Sequence, residues 1–115
     1  MSPSLLRMDE AAQAIITAAA TEDWPRVYSY IQTMNDTWTY YENPTVSASE
    51  GTRQPWEAKL RGEVTLALSR LNQAATARDP KATQDAANDV AAAVTGLSRF
   101  YATAMSEGIG APPVE

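Results

Sequence analysis

The chain has 115 residues and a formal net charge of −5, and it contains neither cysteine nor histidine. Its length suits one domain with its own core, and the two missing residue types exclude disulfides, zinc-finger spacings and histidine-dependent catalytic triads. The acidic balance argues against binding to nucleic acid, which selects basic surfaces, and against adsorption to an anionic membrane.

No apolar run approaches the roughly 20 residues that a membrane-spanning helix needs. The N-terminal residues 1–4 have no basic region followed by an apolar core. We therefore expect neither a membrane span nor an export signal in this chain.

The first predicted helix covers residues 4–20. Ser4 is a suitable N-cap, and Asp9 and Glu10 lie early, where the helix dipole favours carboxylates. The expected inner face consists of Leu5, Met8, Ala12, Ile15, Ile16 and Ala19.

The second predicted helix covers residues 22–42, with Thr21 as its expected N-cap and an ion pair expected between Glu22 and Arg26. Large apolar residues recur along it at intervals of three and four: Trp24, Val27, Ile31, Met34, Trp38 and Tyr41. This spacing predicts one apolar stripe on a helix, against which the other helices should pack.

Asn43-Pro44 is a helix stop signal, and the small polar residues of 43–54 predict a long loop. The third predicted helix covers residues 55–78, and Glu57 and Arg61 repeat the favourable i,i+4 charge spacing. Its expected inner face is Trp56, Leu60, Val64, Ala67, Leu71 and Ala74, widened by Leu68 and Ala75.

Asp79-Pro80 predicts the start of a fourth helix over residues 80–106, with Asp79 as N-cap and Pro80 in the first turn. Its expected inward residues are Ala86, Val90, Ala93, Val94, Leu97, Phe100, Tyr101 and Ala104, and residues 108–115 form a tail. The short turns near residues 21 and 79 favour two antiparallel hairpins. We therefore predict one all-α domain, an antiparallel up-down-up-down four-helix bundle with a long loop between helices 2 and 3.

The second hairpin places Arg70 and Asp89 at similar distances from the turn at Asp79. We expect an ion pair between them along the seam of helices 3 and 4, with a structural role.

In this topology, bulky and soft side chains collect at the end of the bundle away from the tight turns. They are Met8, Met34, Trp38, Tyr41, Trp56, Tyr101 and Met105. Methionine and aromatic rings could simply fill the wide end of the core. Alternatively, they could line a pocket for a flat or apolar ligand.

Three tyrosines, Tyr28, Tyr30 and Tyr40, lie off the main stripe of helix 2. They could form an exposed aromatic strip of the composition that protein interfaces favour. Alternatively, Tyr28 and Tyr30 could flank the core, since the buried face of a bundle helix is wide.

The carboxylates give little support for a metal site or for catalysis. A bundle metal site usually combines Glu-x-x-His motifs with inward carboxylates, and only Asp85 and Asp89 offer oxygen ligands one turn apart. Tyr101 or Tyr28 could donate a proton, but tyrosine on a helix seam is usually a packing residue. We expect no metal, no cofactor and no enzymatic activity.

Residues 67–79, 86–90 and 97–101 resemble the C-terminal hairpin of uncharacterised helical-bundle proteins exported by actinobacteria, and Asp23-Trp24 fits the same pattern. In plan the chain is also similar to soluble periplasmic cytochrome bundles, which hold haem between a methionine on helix 1 and a histidine on helix 4. Met8 corresponds to the first ligand, and this sequence has no histidine for the second. The resemblance implies an extracytoplasmic location.

The expected function is that of a non-catalytic bundle domain that binds a protein, another copy of itself, or a ligand. The alternative is a carrier of a small molecule or haem-like cofactor at the Met/aromatic end. The expected location is extracytoplasmic or surface-anchored, with the cytoplasm as the alternative.

Overall fold

The computed structural model describes residues 3–43 and 58–106, and it describes side-chain surroundings for residues 3–43 and 59–98. These described residues form four helices: α1 (Pro3–Ala20), α2 (Trp24–Glu42), α3 (Ala58–Thr76) and α4 (Pro80–Ser106). No strand occurs in these two ranges. The predicted all-α four-helix bundle is therefore confirmed. Apart from Asn43, the predicted loop lies outside the described residues, as do Trp56 and Glu57.

The helices pack unequally around the bundle. Helix α1 packs closely against α2 and α4, and α3 packs closely against α4, whereas α2 and α3 approach each other less closely. The close faces of α1 and α4 are rich in buried alanine, which lets two backbones come near: Ala11, Ala12, Ala18 and Ala19 on α1, and Ala86, Ala87 and Ala91 on α4. Larger side chains, described below, hold α2 and α3 apart.

The core is built on the apolar stripe of α2. All six of its predicted residues are buried, including both tryptophans. The largest side chains without exposed surface are Tyr41, Leu5, Met8, Ile15, Met34, Leu71 and Leu97. Because burying one large apolar side chain stabilises a fold by roughly 1.5–3 kcal/mol, this cluster provides the main driving force for association of the helices.

Polar side chains join α2 to α3 along their seam. The contacts are Tyr28 Oη to the Ala75 carbonyl oxygen (3.1 Å), Asn35 Nδ2 to Asn72 Oδ1 (3.2 Å), Trp38 Nε1 to Thr65 Oγ1 (3.1 Å) and Arg61 Nη2 to Glu42 Oε2 (2.6 Å). In these four contacts the residue number increases on α2 as it decreases on α3. This order is the one expected for two antiparallel neighbouring helices. The up-down-up-down order of the whole bundle stays a prediction.

The N-terminal caps of α1 and α2 differ from those predicted. Helix α1 begins at Pro3, so Ser4 lies inside its first turn and is buried. The N-cap of α2 is Asp23 rather than Thr21, because Asp23 Oδ1 accepts a hydrogen bond from the Arg26 amide (3.3 Å). The Arg26 guanidinium also lies 3.6 Å from the Asp23 carboxylate, where we had expected Glu22 as its partner.

The turns after α1 and α3 share one backbone design. Each contains a residue with positive φ, Glu22 (57°) and Arg78 (54°). The amide of the next residue, Asp23 or Asp79, then donates to the carbonyl oxygen five residues earlier. This is a Schellman ending, in which glycine usually occupies the left-handed position. The same aspartate caps the following helix, so each connection needs very few residues.

Replacing Glu22 by glycine should stabilise the protein. Glycine removes a steric cost of roughly 1–2 kcal/mol at positive φ and adds an unfolded-state entropy cost of roughly 0.5–1 kcal/mol. We expect the free energy of unfolding in urea to rise by about 0.5–1 kcal/mol. Glu22→Ala is the control, because it removes the charge but keeps the Cβ. An equal gain in both variants would contradict the backbone explanation.

Thr83 is a polar residue in the core. It has no exposed surface, and its Oγ1 has no hydrogen-bond partner in the described part of the chain. A buried hydroxyl without a partner is destabilising relative to an apolar group of the same shape.

Thr83→Val should therefore raise the free energy of unfolding by about 1 kcal/mol, because it replaces the hydroxyl with a methyl group. Thr83→Ser should lower it by about 1 kcal/mol, because it keeps the hydroxyl and removes the buried methyl group. Urea denaturation measures both values. A loss of stability in Thr83→Val would indicate that the hydroxyl is hydrogen-bonded in solution.

Candidate functional site

The predicted Met/aromatic cluster is largely packed core where the structure describes it. Met8, Met34 and Tyr41 have no exposed surface, and Trp38 is buried. Trp56 and the side chains of Tyr101 and Met105 lie outside the described residues. The four described members of the predicted ligand site thus serve to pack helices. A shared pocket with the other three stays a prediction.

Arg61 is the unexpected member of this region. Only 7% of its surface is exposed. Its guanidinium carbon lies 4.8 Å from the centroid of the Tyr41 ring and 5.4 Å from that of the Trp38 ring. The two rings stack on each other with centroids 5.5 Å apart. A planar guanidinium against aromatic faces is an attractive cation–π arrangement, and desolvation strengthens it.

The same guanidinium also binds the end of α2. Its Nη2 donates to Glu42 Oε2 (2.6 Å) and, more weakly, to the Tyr41 carbonyl oxygen (3.4 Å). The carbonyl groups at a helix C-terminus carry partial negative charge. Arg61 thus fastens the beginning of α3 to the end of α2. Burial of its charge is balanced by a carboxylate, a carbonyl group and two ring faces.

The i,i+4 spacing from Glu57 does not indicate that Arg61 is buried, but a second pattern in the sequence does. Arg61, Val64, Leu68, Leu71 and Ala75 follow one another at intervals of three and four, and all five are buried. The arginine therefore lies on the inward face of α3. An arginine on a buried stripe indicates a desolvated partner, which here is supplied by α2.

The three candidate tyrosines of α2 do not share one face. At 100° per residue, Tyr28, Tyr30 and Tyr40 point in three different directions. Tyr28 Oη reaches α3, donating to the Ala75 carbonyl oxygen and accepting from Arg78 Nε (3.2 Å). Tyr30 is partly buried against the core, and Tyr40 is 59% exposed. Tyr28 is also partly exposed, at 38%. Tyr30 thus flanks the core, as the second alternative has it, and a role of Tyr28 and Tyr40 in an interface stays a prediction.

A groove runs between α3 and α4 on the outside of the bundle. It has a volume of about 310 Å³. Four lining residues come from α3 and three from α4: Glu63, Leu66, Ala67 and Arg70, and Asp89, Ala92 and Ala93. Leu66 is 52% exposed, more than any other aliphatic residue among the exposed large apolar side chains of the described ranges. The groove thus has an apolar centre with charged groups along it.

Arg70 and Asp89 line this groove together, as their distance from the turn predicted. Within the described residues, however, no ion pair of 4.0 Å or less joins them. The expected Arg70–Asp89 bridge is therefore not formed. Both side chains are exposed, and pairing in water gains too little to offset the lost freedom of a long arginine side chain.

The described part of the chain offers no obvious metal chemistry or membrane span. It contains no group of three or more carboxylates placed to hold a metal ion. Asp85, one of the two candidate oxygen ligands, lies 3.6 Å from Lys81 in a surface ion pair. None of the described helices is both long and apolar enough to span a membrane.

The Arg61 contacts should depend more on the shape of the guanidinium than on the Glu42 charge. Arg61→Lys keeps the charge but loses the planar stacking on two rings, and we expect it to lower the free energy of unfolding by about 1–2 kcal/mol. Glu42→Gln should cost less than about 1 kcal/mol, because the Glu42 side chain is 43% exposed. Urea denaturation of both variants tests this order. A larger loss in Glu42→Gln would show that the salt bridge dominates.

No protein-family model, curated protein or solved structure matches this chain.

Proposed function

We propose that this chain is a non-catalytic binding domain that acts through contacts of its α3–α4 groove with other protein chains. The observation that carries the proposal is the exposed Leu66, which lines the groove together with three alanines and three charged residues. Apolar centres with polar rims are the usual anatomy of protein interfaces.

The composition of the groove favours a protein partner over a small molecule. It is open to solvent, and its apolar part consists of one leucine and three alanines. Small-molecule sites are usually deeper and enclose most of the ligand. A surface groove of this kind instead suits a side chain presented by another helix, the mode in which helical proteins often recognise one another.

The rest of the bundle supports this proposal by being rigidly packed. The Trp38, Tyr41 and Arg61 cluster and the Asn35–Asn72 pair tie α3 to α2. Helix α3 also packs closely on α4. A surface on firmly held helices loses little conformational entropy when a partner binds.

Native mass spectrometry of the protein purified from its own host tests the proposal. We expect an assembly larger than one chain, and we expect Leu66→Asp to dissociate it, because the substitution puts a charge in the apolar centre. The matched control is Leu6→Asp on α1, where the leucine is similarly exposed at 45%.

Each other outcome contradicts the proposal in its own way. A bare monomer would contradict the proposal, because no protein partner would then be bound. A retained small molecule that survives Leu66→Asp and is lost in Trp38→Ala would instead favour the carrier at the Met/aromatic end.

A further inference from the structure

We infer that the partner in the α3–α4 groove is a second copy of this chain, related to the first by a two-fold axis parallel to the helices. In this arrangement Leu66 of each copy seats on Ala92 and Ala93 of the other. The inference rests on the proposed function, since it names the partner of the same surface.

Residues on the two edges of the groove match in height along the helix axes. Leu66 lies 13 residues before Asp79, and Ala92 lies 13 residues after it (79 − 66 = 92 − 79). Because the two helices rise equally per residue from a short turn, these residues lie at similar heights on opposite edges of the groove. The same holds for Arg70 and Asp89, at 9 and 10 residues from Asp79.

The two edges are therefore complementary, level by level. At one level a large side chain on α3 lies opposite small ones on α4, namely Leu66 opposite Ala92 and Ala93. At the level nearer the turn, a positive charge lies opposite a negative one, Arg70 opposite Asp89. The α3 edge thus carries a large apolar side chain and a positive charge, and the α4 edge carries small side chains and a negative charge.

A two-fold axis parallel to the helices places α3 of one copy over α4 of the other while it keeps the heights unchanged. Such an interface is self-complementary, so every contact occurs twice. Leu66 then meets the alanines of the second copy, and Arg70 meets its Asp89. Both forms of complementarity then act between the two copies.

The charges at the groove are available for this pairing. Among the described residues, Glu63, Arg70 and Asp89 take part in no salt bridge within their own chain. Within the described part of the chain, no ion pair of Arg70 or Asp89 has to break when the copies associate. The pairs would also be partly removed from water by Leu66 beside them, which strengthens charge–charge attraction.

Sedimentation velocity of the full chain over a wide concentration range tests the inference. The wild type is expected to pass from monomer to dimer as concentration rises. Leu66→Asp should raise the dimer Kd by at least about tenfold, which corresponds to 1.4 kcal/mol. Leu6→Asp should leave the Kd unchanged, because Leu6 is absent from the groove lining.

A charge exchange tests the pairing itself. Arg70→Asp and Asp89→Arg should each weaken the dimer, because each brings like charges together twice. An equimolar mixture of the two variants should recover the wild-type Kd. In the mixed dimer, the new carboxylate at position 70 faces the new guanidinium at position 89, and the unchanged Arg70 and Asp89 face each other. A role within one chain cannot be recovered in this way by mixing.

Circular dichroism establishes that each variant is folded, and the positions are exposed, so folding should persist. A wild type that stays monomeric at every concentration overturns the inference. A dimer that tolerates Leu66→Asp, or charge variants that do not recover when mixed, does so too.

The failure of this inference can be told apart from the failure of the proposed function. If the purified chain stays monomeric while the host assembly contains a different protein and dissociates in Leu66→Asp, the second copy is wrong and the binding domain stands. If the host protein is also a bare monomer, both proposals fail.

Discussion

The structure depends on burial of the apolar stripe of α2. Residues from Trp24 to Tyr41 turn one continuous edge toward the other helices, and none of the six stripe residues keeps a large exposed area. Since packing rather than intrinsic helix preference stabilises most helices in proteins, this edge also supports the helical state of its neighbours. The alanines of α1 and α4 allow close approach on one side of the bundle, and the aromatic rings of α2 require more room on the other.

The polar contacts of the wider α2–α3 seam fix the register between these two helices. Apolar helices of similar length could slide past one another by a turn at small cost, because leucine, valine and alanine present similar surfaces. The reciprocal Asn35–Asn72 amides, the Trp38–Thr65 hydrogen bond and the buried Arg61 can be satisfied only in one register. Polar groups in a core act in this way because leaving them without partners is costly. The seam thus combines a modest gain in stability with a defined alignment of α3.

That alignment carries over to the outer surface. Because α3 is held against α2 by polar contacts and against α4 by close packing, the two edges of the α3–α4 groove stay at matched heights. A self-complementary surface requires this precision, since a shift by one turn would bring Leu66 away from the alanines and Arg70 away from the carboxylate. The internal polar seam therefore sets the heights on which the proposed contact between copies depends.

The sequence by itself determined the helices and most of the core, because both depend on local spacing. Intervals of three and four placed the α2 stripe on a buried edge, and Asp79-Pro80 marked the start of α4. Turn chemistry was predictable only in part: the positions of both turns followed from the sequence, but the cap of α2 was Asp23 because Glu22 adopts a left-handed conformation that no local pattern demanded. Only the tertiary structure decided which arginine is buried and which is exposed. Arg61 is buried because two rings and a helix end from α2 surround it, whereas Arg70 stays in water without an ion pair to Asp89 within the described residues. Both arginines belong to α3, and their difference comes from the neighbour that each one faces, which spacing along a single helix does not specify.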